Sequence, residues 1–347
     1  MRRPCALLAG CALSLGCSSN DAAPDGHAPG TSILGTRPEC AHVVVEAAPD
    51  ALWKCTAPGS CLDDYLAFPD RAAEHRAPIS EAELDAKLAA IDAGEVPLVA
   101  RPVAADDLSG AILDGLGVRF LVEGLAEREL RVKIVSTRTT DTYDELSLLL
   151  EDPLVGEFPA LLLAPLAGRP SAGVVALHGH RDNATLYRFA YDGESYPSHA
   201  TAILMLTLRA MDIDADEEKV TRALLLEGFD LLGLRVYESL LGLELTRCLA
   251  SVDPERVGLI GHSGGSSTGN LTVRISDAAR AYVSDHQVDY HALDPGKPLH
   301  CESVPDLYPW SALVNDFSTA AVPVLGVPYG YTDGMDAIFA FFDERLR

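Results

Sequence analysis

The chain has 347 residues, 48% of them apolar and 22% charged, with a formal charge of −24. That length and composition provide for a large packed core and exclude general disorder. So large an acidic excess, with no concentrated basic stretch, excludes a nucleic-acid or anionic-membrane surface and is read as a solvated exterior kept soluble by repulsion.

The N-terminus reads as a targeting segment. Arg2 and Arg3 precede the apolar stretch Cys5–Gly16, and Cys17 is followed by the polar run Ser18-Ser19-Asn20-Asp21. This is the layout of a signal peptide over residues 1–16, too short to span a bilayer. The stretch Leu13-Ser14-Leu15-Gly16-Cys17 resembles a bacterial lipoprotein cleavage box. The resemblance implies a lipid on Cys17; cleavage without lipidation is the alternative. Residues 17–37 then form a flexible linker. The expected location is that of an exported bacterial lipoprotein, periplasmic or outer-membrane-anchored, touching the membrane through Cys17 alone.

Residues 38–117 read as an N-terminal, Cys-containing extension. Cys40, Cys55 and Cys61 lie in its Pro/Gly-rich part, and in an oxidising compartment two of them could pair. Their spacing matches no zinc site, and no metal is expected. A helix should begin at Ser80, because Ser80 and Glu83 have capping-box spacing ahead of Leu84, Leu88 and Ile91. Residues 118–347 alternate strands and helices. Leu130–Ser136 and Glu145–Leu150 are expected as an antiparallel pair. Phe158–Leu163, Val174–His178 and Ala202–Leu206 are short apolar runs typical of strands buried on both faces. One long helix is expected over 222–250, with Cys248 a buried thiol on its apolar face. Strands Arg256–Ile260, Ala281–Ser284 and Val322–Val327 and a closing helix Asp336–Leu346 complete an α/β architecture, a mostly parallel sheet flanked by helices. Cys301 could be free or paired.

Between a strand and a helix stands Gly261-His262-Ser263-Gly264-Gly265. A G-x-S-x-G pattern alone is weak, but strand Val257-Gly258-Leu259-Ile260 leads into it and helix-compatible sequence leaves it. In that context glycines permit a tight turn, and the serine sits at a helix N-terminus where free N–H groups stabilise a developing anion. Ser263 is therefore the candidate nucleophile. The segment Leu177-His178-Gly179-His180, at the end of a buried strand, is the candidate oxyanion loop. Gly179 or His180 would donate one N–H and Gly264 the other.

The segments Phe158–Pro165, Val174–His180, Phe229–Leu241, Val252–Gly265 and His300–Leu307 resemble the α/β-hydrolase superfamily, in particular its acetyl xylan esterase-like and dienelactone hydrolase-like branch. The resemblance spans residues 118–347. It implies an α/β-hydrolase fold and ester hydrolysis by a Ser–Asp–His triad, without metal or organic cofactor. Gly330-Tyr331-Thr332-Asp333 matches the family's acid position and nominates Asp333, with Asp285 as rival. The family's histidine follows its acid, whereas no histidine follows Asp333 here, the last being His300. Either the last strand and its histidine loop are missing, or Val322–Val327 is the last strand and Tyr331 stands in the histidine's place. His286 and His300 are the leading substitutes, and His178, His180 and His262 are further candidates.

Two functions follow. One is a serine carboxylic-ester hydrolase acting on small acyl esters, with acetylated carbohydrate a candidate class. The alternative is a catalytically degenerate hydrolase-fold lipoprotein with a binding role, since a serine without a base is a poor nucleophile. A serine peptidase has less support, because no propeller domain is present.

Overall fold

The computed structural model describes residues 33–51, 62–99, 103–166, 170–211, 214–286, 299, 303–330 and 334–347. The signal peptide, Cys17, Cys55, Cys61, His300, Cys301 and Asp333 lie outside the described residues.

Nine strands form one sheet: β1 (Val43–Ala47), β2 (Leu130–Thr139), β3 (Tyr143–Asp152), β4 (Gly156–Pro165), β5 (Ser171–Leu177), β6 (Thr201–Leu206), β7 (Val252–Gly261), β8 (Ala281–Ser284) and β9 (Val324–Gly326). Their order is β1-β2-β3-β4-β6-β5-β7-β8-β9. Strands β2, β3, β4 and β6 pair antiparallel, whereas β6, β5, β7, β8 and β9 run parallel. Among the described residues the sheet ends at β9. The expected pair at 130–136 and 145–150 is present, running from Arg131↔Glu151 to Thr139↔Asp144 with a register shift between Ile134 and Ser136.

The central strands read as unbroken apolar runs because both faces are covered. Alternate residues Val175, Leu177, Leu204, Leu206 and Leu259 enter one core, and Val174, Ala176, Ile203, Met205 and Ile260 enter the other. The first core is sealed by helix Leu231–Cys248, which is buried on nearly every side. The second is sealed by helix Met335–Arg345 through Ile338, Phe339 and Phe342.

Three features differ from the sequence expectations. The single helix over 222–250 is two, Asp214–Leu226 and Leu231–Cys248. Gly228 takes a left-handed φ of 82°, and Asp230 caps the second helix by accepting from the Leu232 N–H at 2.7 Å. The extension is also built into the sheet. Val43–Ala47 pairs parallel with Leu130–Ile134, and Tyr65, Phe68 and Leu108 join the first core. Finally, Cys248 is no free thiol: it is disulfide-bonded to Cys40, with Cα atoms 5.6 Å apart across a sequence separation of 208. Pairing within Cys40, Cys55 and Cys61 is thereby corrected for Cys40. The helix at Ser80 forms with its full capping box, Ser80 Oγ accepting from the Glu83 N–H and Glu83 accepting from the Ser80 N–H.

Candidate active site

Strand β7 delivers Ser263 to a sharp turn. Its backbone, φ 49° and ψ −116°, lies where non-glycine residues are strained, and helix Gly264–Ile275 starts immediately after it. The turn is crowded from both sides. A Cβ on Gly265 would drive into the Leu177 carbonyl, and one on Gly261 would come within 2.5 Å of the Gly265 oxygen. The glycines therefore permit β5 and β7 to run side by side up to the point where the chain reverses. Among the described residues, neither Ser263 Oγ nor the Gly264 N–H has a hydrogen-bond partner.

The expected oxyanion loop stands beside this turn. A Cβ on Gly179 would sit 3.0 Å from Ser263 Cβ, and one on Gly264 would sit 2.6 Å from Cε1 of His180. Gly179, His180 and Gly264 are thus brought together around the serine. His178 fixes the loop from beneath. Its Nδ1 donates to the Gly179 carbonyl at 2.7 Å and its Nε2 accepts from the Leu208 N–H at 2.9 Å. A carbonyl can only accept and an amide N–H can only donate, so the tautomer is fixed. Burial pushes the His178 ring down to about 3, and it stays neutral. It is a brace and has no nitrogen to spare for catalysis.

His180 is held in turn by Glu217, Nε2 to Oε1 at 3.1 Å, and Glu217 is paired with the fully buried Arg235 at 2.8 Å. Burial works to raise the Glu217 carboxyl, but the charge of Arg235 and the His180 bond outweigh it and keep it ionised. This chain of charges under the oxyanion loop had no signal in local sequence. The three residues lie on a strand end and on two different helices.

On the opposite side of Ser263, Asp285 follows β8 and is buried. It accepts from His262 Nδ1 at 2.5 Å, the Ser263 N–H at 2.9 Å, Ser266 Oγ at 3.0 Å and the Gly330 N–H at 2.9 Å. Burial alone would raise its pKa; the His262 bond and the two backbone N–H groups together hold it below the ordinary carboxylate range. The rival acid is therefore the carboxylate positioned at the nucleophile among the described residues. His262 lies between two aromatic rings, Tyr191 at 4.3 Å and Tyr329 at 5.0 Å between centroids. The ring of His286 lies 6.0 Å from that of Tyr329. Tyr329 itself is 66% exposed. The sequence offered a signal for His262, its place inside the elbow, but nothing that tied it to Asp285.

Among the described residues, no cluster of three His, Cys, Asp or Glu side chains could hold a metal ion. No helix there is long and apolar enough to cross a membrane.

No protein-family model and no curated protein sequence matches the chain. Solved structures do. A Bacteroides fragilis protein described as an acetyl xylan esterase candidate superposes with a TM-score of 0.51 at 14% identity, covering 69% of this chain and 72% of that one. An acetyl xylan esterase from Paenibacillus sp. R4 superposes with a TM-score of 0.50 at 10% identity, covering 77% of this chain and all of that one (100%). At such identities the likeness establishes the fold: this is an α/β-hydrolase fold, of the kind seen in acetyl xylan esterases.

Proposed function

We propose that the chain is a serine carboxylic-ester hydrolase acting on small acyl esters, with Ser263 as nucleophile. One observation carries this reading: Ser263 occupies a strained strand-to-helix turn whose glycines admit the oxyanion loop to van der Waals distance of its Cβ. Attack of Oγ on an ester carbonyl would place the developing oxyanion at the Gly264 N–H and a backbone N–H of Gly179 or His180, at the dipole end of helix Gly264–Ile275. Acetylated carbohydrate is the first substrate class to test, because structural neighbours are described as acetyl xylan esterases. Candidate acids are Asp285 and Asp333, and candidate bases include His286 and His300.

The proposal extends to location. The Cys40–Cys248 bond supports export to an oxidising compartment, and Cys17 would carry the lipid that tethers the domain.

The degenerate, binding-only reading has one observation in its favour, since Ser263 Oγ meets no histidine among the described residues. Turnover separates the two. The wild type should hydrolyse 4-nitrophenyl acetate, and Ser263→Ala should lose at least about 10⁴-fold in kcat/KM. A wild-type rate equal to that of Ser263→Ala would leave the binding reading.

A further inference from the structure

An α/β-hydrolase-fold esterase needs a base for its serine, and the described residues offer several histidines near Ser263. His178 is spent, both ring nitrogens being committed to backbone groups. His180 turns Nε2 to Glu217 and lays its Cε1–Nδ1 edge against Gly264, which is the side where the carbonyl oxygen would be held. The His286 ring packs against Tyr329, centroids 6.0 Å apart, and no contact ties it to Ser263 among the described residues. His262 differs from all three. The point that a Cβ on Gly179 would occupy is 2.8 Å from His262 Cδ2, 3.2 Å from its Nε2 and 3.0 Å from Ser263 Cβ. The Cδ2–Nε2 edge of the ring and the serine's side chain therefore converge on the same small space. The other edge, Nδ1, is held by Asp285, and the aromatic rings of Tyr191 and Tyr329 flank the imidazole. Asp285 also grips the Ser263 N–H, so one carboxylate fixes nucleophile and imidazole relative to each other.

We propose that His262, oriented by Asp285, is the general base for Ser263, so that nucleophile and base are adjacent in sequence. This rests on the serine-hydrolase reading above. The ionised Asp285 holds the ring proton on Nδ1 and leaves Nε2 as the basic nitrogen. As Oγ bonds to the acyl carbon, its proton passes to Nε2 and the carbonyl π pair moves to the oxyanion. Collapse breaks the ester C–O bond, and Nε2–H protonates the departing alkoxide. Water then adds to the acyl-serine, giving a proton to Nε2. The second collapse frees the carboxylic acid and returns that proton to Oγ. One ester and one water become one acid and one alcohol, with Asp285 ionised throughout. The transfer requires Oγ and Nε2 to come within hydrogen-bond reach, a contact that catalytic sites often tighten only when substrate is bound.

The test is 4-nitrophenyl acetate turnover by wild type, His262→Gln, His262→Ala, His286→Gln and Ser263→Ala, each checked by circular dichroism for folding. Rates are measured with and without free imidazole and corrected for imidazole's own hydrolysis. The expected result is a fall in kcat of about a thousandfold in both His262 variants with KM little changed. Imidazole should restore part of the rate to His262→Ala and none to Ser263→Ala, a rescue that a merely structural histidine would not give. His286→Gln should stay near wild type. A larger fall in kcat for His286→Gln than for His262→Gln would name His286 as the base and overturn the assignment. Ser263-dependent turnover in His262→Gln within tenfold of wild type would overturn the assignment of the base while leaving the esterase reading intact. Should His262→Gln fail to fold, absence of imidazole rescue in a folded His262→Ala would overturn it equally. Wild-type turnover that does not depend on Ser263 would overturn both.

Discussion

The two halves of the candidate site are built from different materials. The nucleophile and oxyanion half is backbone: a strained Ser263, glycines that admit neighbouring strands, and N–H groups at a helix start. The acid and base half is side chains, Asp285 and His262, brought together from positions 23 residues apart and held by four donors and two aromatic rings. Backbone geometry leaves a steric trace in local sequence, because only glycine fits where carbonyls crowd. Side-chain partnerships leave none, because any buried carboxylate at a strand end could serve.

Substitutions can break this contrast in order of expected effect. Gly265→Ala should be the most severe. Its Cβ would collide with the Leu177 carbonyl, so β5 and β7 could no longer meet at the turn. The expected cost is about 3 kcal/mol or more of stability together with loss of turnover, read by urea denaturation and the ester assay. Asp285→Asn should act mainly on chemistry. It keeps the shape but removes the charge that fixes the His262 tautomer, so kcat should fall about 10²-fold or more while the fold survives. Equal sensitivity of stability and kcat at Asp285 would show that the carboxylate is a structural hub first.

The smallest effect belongs to a carboxylate outside both halves. Burial raises Asp230 to about 8, and its Oδ2 has no hydrogen-bond partner among the described residues. Asp285 is shifted the opposite way. The sign is therefore opposite for the two. With a folded value above the unfolded value of 3.8, the folded state keeps a proton on Asp230 that the unfolded chain has lost. Its contribution to stability falls as pH rises from about 4 to 8. Asp285, held low, contributes stability above its unfolded value and loses it as pH falls through its folded one. Asp230→Asn retains the Oδ1 cap to Leu232, so it should flatten the decline between about pH 4 and 8 and stabilise at pH 8 by on the order of 1–3 kcal/mol. An unchanged pH dependence in thermal melts would refute the buried neutral carboxyl.

The same division explains how far the sequence could be read. Apolar runs gave the central strands because β5, β6 and β7 are covered on both faces. The elbow and the loop at 178–180 were visible from their glycines and strand context. Strand β1 was missed, since Val43–Ala47 is a short edge strand with a half-exposed pattern inside a segment rich in prolines. The break at 227–230 was missed although Gly228 and Asp230 have the residue types of a helix stop and a helix cap. The Cys40–Cys248 pairing was beyond local reading, because loop closure over so long a separation is decided by the fold. His262 and Asp285 were each noticed alone, and only the register of β7 on β8, Gly261 opposite Ser284, sets them side by side.

The central claim is that Ser263 is a reactive nucleophile and not an incidental serine in a glycine-rich turn. Its most direct test is exposure of the full chain to a fluorophosphonate, followed by mass spectrometry of the peptide carrying residues 261–265. The account predicts a single phosphonyl adduct on Ser263, absent from Ser263→Ala and formed more slowly in His262→Gln. A folded wild-type protein that takes up no label at Ser263 would contradict it.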